Sequence, residues 1–306
     1  MREAKPVAPH ACHFGLWRAI VALPTMLASL ALIVMLSGGL GRWAAAVPLA
    51  WLVVAPVWLT RTGERAAVRL GFGYRQVHAG ERAVLEPLMS TAAESCGLDD
   101  GLCDFYVQPR AHATNASASG RRSIAVSAGL VTALRQGNLT RDQAVAMLSH
   151  EIGHLRDHST RYGLITAWLT APCRAAVFIF GGLLRLIMRT MPTANAALVL
   201  VPALLVIAGM QSAHRHAWAP LAVLTALTAV LTLHPVADAA LSRASELAAD
   251  NYAANVGSGP DLASALAVIP PPPRPSSGGL RTSHPPIDVR IARLTGTSSR
   301  RGSWRS

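Results

Sequence analysis

Two histidines four residues apart, with a glutamate directly after the first, stand in the stretch TRDQAVAMLSHEIGHLRDH, Thr140 to His158. Val145, Leu148, Ile152 and Leu155 recur through it at three- and four-residue intervals, the apolar stripe of a helix that faces a core. Thr140 followed by Gln143 has the form of a capping box and starts that helix. On it His150 and His154 lie one turn apart on one face and can reach a single ion. The helical pitch turns Glu151 about 100° away, so its carboxylate can touch a water on the ion without ligating it. The pattern is H-E-x-x-H, in which two imidazoles bind zinc and the glutamate is the general base.

A catalytic zinc needs a third protein ligand and keeps the fourth position for water. His158 is near in sequence, but one straight helix does not wrap three successive turns around a tetrahedral ion, so His158 is read as solvated or as a supporting residue. The stretch DAALSRASELAADNYAANVG is a second helix, with Ala240, Leu247, Ala248, Tyr252 and Ala253 on it, Gly257 ending it and Pro260 beyond. Glu246 and Asp250 share one face of that helix. They offer one carboxylate for the metal and one for a hydrogen bond to a ligand histidine, the partner that metal-bound histidines ordinarily have. Taken alone the pair is a solvated acidic face; beside an H-E-x-x-H it is the most economical source of the third ligand.

SHEIGH, then a hydrophobic insert, then LSRASELAAD resembles the HtpX-type membrane zinc endopeptidases, relatives of the CAAX prenyl proteases. Upstream, NASASGRRSIAVSAGLV (Asn115 to Val131) is similar to the family's strand, glycine turn, second strand and helix start. SHPPIDVRIARL (Ser283 to Leu294) resembles its late Thr-His-Pro segment, with serine in place of threonine. The likeness runs roughly from Glu81 to Leu294. It implies one Zn²⁺ per chain, with Glu246 as third ligand and Asp250 orienting His150. It also implies that Asn115 and Ala116 lie on a substrate-binding edge strand and that His284 approaches the site, where it would act in catalysis beside Glu151.

Composition independently points to a membrane. The chain is 51% hydrophobic and only 5% aromatic, with a mean hydropathy of +0.34. Trp17 to Leu36 is nearly uncharged over a bilayer's thickness, about 20 residues, and Trp43 to Leu59 is a second, slightly short span. The immediate second span argues against a cleaved leader, so Arg18 to Leu59 reads as a helical hairpin. Three apolar stretches follow the zinc helix: Tyr162–Met188, Ala194–Met210 and Ala217–Val236. His150 and Glu246 must meet at one ion, so an even number of spans separates them. Arg174, Arg185, Arg189 and Pro172 in the first stretch mark it as an amphipathic helix on the membrane surface, and the other two then cross as a hairpin.

Arg61, Arg65, Arg69, Arg121, Arg122, Arg156, Arg161 and Arg243 would share the side of the site, against Arg42 and Arg215 on the other. The positive-inside rule therefore sets the catalytic domain and both termini in the cytoplasm, under the inner (plasma) membrane. The net charge of +12 raises nucleic acid as a partner, but the arginines are scattered among membrane segments, where anionic membrane lipids account for them. Lys5 is the lone lysine, which points to GC-rich coding and a bacterial source. Cys12, Cys96, Cys103 and Cys173 contain no C-x-x-C pair and read as free thiols on a reducing face. PPPPRPSSGG, Pro270 to Gly279, is a linker and the C-terminal end a basic tail.

The expected fold is a mainly α integral membrane protein with four transmembrane helices and a zincin-like metalloprotease domain carrying a small β element. Its parts are a membrane hairpin (1–62), the first catalytic part (63–161), an amphipathic helix with a second hairpin (162–238) and the second catalytic part (239–306). The implied activity is zinc-dependent endoproteolysis of protein or peptide substrates on the cytosolic face, in membrane-protein quality control. Two other readings stand beside it. One is a membrane sensor protease that cleaves a specific cytosolic regulator. The other is a catalytically silent scaffold with a structural zinc, for which an intact Glu151 has no physical use.

Overall fold

SIAVS, Ser123–Ser127, is short, β-branched at Ile124 and Val126, and buried along its whole length, as a strand is when covered on both faces. In the computed structural model it forms β4, parallel to β2 (Asp104–Gln108) and antiparallel to β3 (Ala116–Ser119). β1 (Arg75–Gln76) pairs antiparallel with β2, giving the order β1-β2-β4-β3 and leaving β3 as an edge. The structure describes residues 14–98, 103–189, 206–207, 209–211, 214–215, 218–269 and 284–296. The expected linker, the basic tail and most of Ala194–Met210 lie outside them, as do Cys12, His10, His13 and His216.

Side chains alternate along β4. Ile124 and Val126 enter the main core, and Ala125 turns the other way onto Val68, Tyr74 and Tyr106. The main core is completed by Leu85, Leu88 and Ala92 of α4 (Ala79–Ser95) and by Met147, Leu148 and Ile152 of α6 (Arg141–Arg156). Leu262 and Ala265 of α9 (Gly259–Val268) close it. Between β4 and α6 runs the short α5 (Ala128–Arg135), started by Ser127, whose Oγ accepts from Leu130 N–H at 3.0 Å. The capping box that starts α6 is present: Gln143 N–H donates to Thr140 Oγ1 at 3.2 Å, and Thr140 N–H to Gln143 Oε1 at 2.9 Å.

A further helix grips the sheet's end. α3 (Arg61–Ala66) presents Arg61, Glu64 and Arg65 on one face, the i, i+3, i+4 set. Both arginines fork onto Asp104 at the start of β2, at 2.8 and 3.0 Å from its Oδ1. Glu64 accepts from the turn between β3 and β4.

These elements belong to one compact unit, 1–19, 56–165 and 238–306; a second unit comprises 20–55 and 166–237. The second holds the body of α1 (Phe14–Ser37), α2 (Ala46–Val54) with its 3-10 extension beginning at Ala55, most of α7 (Gly163–Arg189) and the leading half of α8 (Trp218–Asn255). Polar contacts there satisfy backbone groups, as a lipid environment demands. Cys173 N–H, next to Pro172, donates to the fully buried Ser29 Oγ at 3.1 Å, and Trp168 Nε1–H donates to Trp51 O at 3.1 Å.

Among the described residues, two helical segments are long and apolar enough to cross a membrane, Phe14–Trp43 and Gly163–Leu183, and Ala46–Leu59 with Arg61–Gly71 forms a further, sharply bent pair. Four spans are thus not all evident by this measure. The expected surface-lying helix over Tyr162–Met188 falls on α7, which contains the apolar segment Gly163–Leu183. Val177, Phe178, Ile179, Phe180, Leu183 and Leu186 are all exposed on α7. Within Gly163–Leu183 Arg174 is the one charged residue; Arg185 and Arg189 follow at the end of α7. The expected thiols are free at Cys96, Cys103 and Cys173.

Burial alone would raise the Asp104 carboxyl, but the Arg61 and Arg65 guanidiniums together outweigh it and hold its pKa at about 2. A depressed carboxylate pKa stabilises the fold fully above the unfolded value, about 3.9. That contribution disappears as pH falls through the folded value. Asp104→Asn should therefore melt below wild type at neutral pH, and the difference should close between about pH 4 and about pH 2. Thermal unfolding in detergent micelles across that range checks it; a gap still open at the acid end would contradict the pairing.

Candidate metal centre

Glycine at position 153 lets two helices meet. A Cβ there would stand 3.1 Å from Ala249 Cα and 3.2 Å from Tyr252 Cβ, so α6 and α8 approach almost backbone to backbone at this point. The approach brings His150 and His154 of α6 opposite Glu246 of α8. His150 Nε2 lies 3.6 Å from Glu246 Oε2, and His154 Nε2 lies 3.4 Å from Glu246 Oε1. One ligand atom from each of the three lies within 4.8 Å of the others.

The three residues fit a tetrahedral zinc. Nitrogen and oxygen ligands about 2.0–2.2 Å from such an ion stand about 3.3 Å apart, close to the two nitrogen–oxygen separations observed. The far side of each ring fits as well. Ser159 Oγ donates to His154 O at 3.1 Å, so toward His154 Nδ1, also 3.1 Å away, it can only accept. That fixes the proton on Nδ1 and frees Nε2 toward the cluster. His150 Nδ1 faces Asp250 Oδ1 at 3.0 Å, a close but poorly aligned contact.

Arg290, on α10 (Ile287–Leu294), completes the cluster. Its guanidinium donates to both oxygens of Asp250, at 2.8 and 2.6 Å, and its Nη1 lies 3.2 Å from Glu246 Oε2. Burial would raise the carboxyls of Glu246 and Asp250. The histidines hold Glu246 well below the usual carboxylate range, and His150 with Arg290 does the same for Asp250. His284 is exposed and reaches Glu246 Oε1 with Nδ1 at 3.4 Å, so it stands at the mouth of the cluster.

Glu151 points off the ligand face, toward the sheet. Its Oε2 accepts from the backbone N–H of Ala118 in β3 at 2.6 Å, and burial pushes its carboxyl up. β3 itself is half engaged. Asn115 O accepts from Ser127 N–H and Asn115 N–H donates to Ser127 Oγ, so alternate residues 115, 117 and 119 direct their main-chain groups at β4. The main-chain groups of Ala116 and Ala118 therefore face the open edge, one of them taken by Glu151.

His150, Glu151, His154, Glu246, Asp250 and His284 are thus gathered at one place, with Asn115 and Ala116 at the edge alongside. His158 is not. α6 ends at Arg156, and His158 sits past its C-cap with a φ of 59°, off the helical face on which the sequence reading set it. It lines a cleft of about 240 Å³ with Arg121, Arg122, Arg156 and Arg161 that contains none of the cluster residues. Sequence reasoning did not find Arg290, Ser159 or the Ala118 N–H. Arg290 lay within the stretch SHPPIDVRIARL, quoted for its resemblance, but its spacing points to no partner.

The sequence profile of peptidase family M48 matches residues 79–298, a range that contains every residue of the cluster. No curated protein matches the chain. Among solved structures, the crystal structure of S. mikatae Ste24p is similar at 18% sequence identity with a TM-score of 0.44, over 85% of this chain and 65% of that one. This chain therefore spans a little under two thirds of that protein's length. With most of its residues under the family profile, the chain belongs to peptidase family M48.

Proposed function

We propose that the protein is a membrane-bound zinc endopeptidase in which His150, His154 and Glu246 hold one Zn²⁺. The observation that carries the reading is the pair of Nε2 atoms converging on the Glu246 carboxylate at 3.4 and 3.6 Å, in a family of peptidases. Zinc bound there would supply Lewis-acid polarisation of a water and of the scissile carbonyl. Glu151, adjacent to the ligands but turned off their face, takes the proton of the attacking water and returns it to the leaving amine. Its burial pushes its carboxyl pKa up. His284, at the mouth of the cluster, would donate to the carbonyl oxygen as negative charge develops there.

The edge-facing main-chain groups of Ala116 and the Ala118 carbonyl fit an extended peptide added to the sheet as a further strand, beside the Ala118 N–H that Glu151 holds. Protein or peptide substrates follow, and the family resemblance carries the proposal to misfolded membrane proteins. Arg290 and Asp250 orient the ligands and do not react. Glu246→Ala should lose most bound zinc, and His158→Ala should keep it. Glu151→Gln should keep both zinc and fold while cleavage of a denatured protein falls by about 10²–10⁴-fold. Metal analysis and proteolysis of the same preparations decide the matter; near-normal cleavage by Glu151→Gln would leave zinc a structural role only.

The membrane topology follows from the same convergence. His150 and Glu246 touch one cluster, so an even number of crossings separates them, and α7 has the apolar surface of one crossing. The leading half of α8, continuous with the helix that carries Glu246, is then its partner. We assign four crossings to α1, Ala46–Leu59, α7 and the leading half of α8. Arg185 and Arg189 thereby join Arg42 and Arg215 on the outer side, and the eight inner arginines still outnumber them, which sets the cluster and the anionic-lipid contacts on the cytosolic side. A topology reporter inserted after Arg189 should read external, and one inserted at Gly257 cytosolic. A cytosolic signal after Arg189 would return α7 to the membrane surface.

A further inference from the structure

Glu64 is a carboxylate the chemistry above does not use, and it is only 3% exposed. It receives three donors from three consecutive residues: Arg121 N–H at 3.0 Å, Arg122 N–H at 2.9 Å and Ser123 Oγ at 2.7 Å. Those residues make the turn from β3 into β4. The preceding Gly120 has a φ of 64°, and a Cβ on it would stand 2.5 Å from Glu64 Cδ, so both the conformation and the closeness of the carboxylate require glycine. From the opposite flank Thr160 Oγ1, just beyond α6, donates to Gly120 O at 2.7 Å. The hairpin tip is held on one side from α3 and on the other from the chain leaving the H-E-x-x-H helix. Two residues before Gly120 is Ala118, whose N–H meets Glu151.

We propose that Glu64 is a positioning residue for substrate: its carboxylate sets the β3–β4 turn and thereby the placement of the β3 edge on which a peptide is laid. This rests on the reading of β3 as the substrate edge. Only an anion does this work at this position. A carboxylate offers lone pairs to all three donors at once, and charge-assisted bonds are the stronger kind. A glutamine of the same shape would aim an N–H₂ at a backbone N–H. The companion residues of the same helix face, Arg61 and Arg65, fasten α3 to Asp104, so the carboxylate is presented from a support already anchored to the sheet.

The test uses the full chain in detergent micelles, zinc-loaded, as wild type, Glu64→Gln and Gly120→Ala, with hydrogen–deuterium exchange over residues 116–123. Two peptides are compared, one long enough to run along β3 and one of two or three residues that reaches only the cluster. Both variants should keep zinc and show faster amide exchange at Arg121 and Arg122. The kcat/KM of the long peptide should fall about tenfold further than that of the short one, the worth of about one backbone hydrogen bond to the edge. Unchanged exchange in Glu64→Gln, or an equal fall for both peptides, overturns the proposal, since a merely structural carboxylate would depress both alike. If Gly120→Ala does not fold, Thr160→Val loosens the same tip from the other flank and should give the same split. If wild type cleaves neither peptide, the endopeptidase reading fails, and the exchange data still decide whether Glu64 holds the turn.

Discussion

Glu246 and Asp250 are two carboxylates one helical turn apart, both largely withdrawn from water, and the surrounding structure is organised around keeping them there. Buried anions are tolerated only with cations and donors at close range. Arg290 forks onto one and touches the other, and three histidines converge on the pair. Removing one partner from such a buried set typically costs about 3–5 kcal/mol. Three stretches distant in sequence, α6, α8 and α10, are thereby obliged to meet. The roughly ninety residues between His154 and Glu246 are compatible with this, because closure entropy grows only slowly with loop length.

Much of this was legible in the residues. The H-E-x-x-H helix, its capping box and the Glu246/Asp250 pair follow from spacing, because helical geometry turns sequence intervals directly into shared faces. The likeness to membrane zinc endopeptidases drawn from SHEIGH and LSRASELAAD is borne out by the M48 family match. What escaped the reading has a common physical character. The Ala118 N–H that holds Glu151 is a main-chain donor and has no letter of its own. Ser159 acts only because the chain bends back after α6, and Arg290 only because α10 packs where its sequence does not say it must.

Arginine was the residue type most open to two readings. Arg174 and its neighbours suggested a helix lying flat, yet Arg174 stands exposed on α7 among Val177, Phe178, Ile179 and Phe180, which are exposed as well. Arg61 and Arg65 count toward the charge bias that orients a membrane protein, and in the fold they also clamp Asp104. The two roles do not conflict, since the orienting bias depends on the number of cations and little on neighbouring acids. A sequence reader sees the first role and has no local signal for the second.

The close crossing of α6 and α8 has a bearing on how the H-E-x-x-H pattern itself is interpreted. Its two unspecified positions are anything but free in this protein. Ile152 is fully buried in the main core, and Gly153 faces Ala249 and Tyr252 at a separation that leaves no room for a side chain of ordinary size. The working motif is a histidine–glutamate pair, a core aliphatic, a residue small enough to admit a second helix, and a histidine. A protein that keeps both histidines and the glutamate but carries a bulky residue at the fourth position could not bring an α8 equivalent this near, and would have to find its carboxylate elsewhere in the chain.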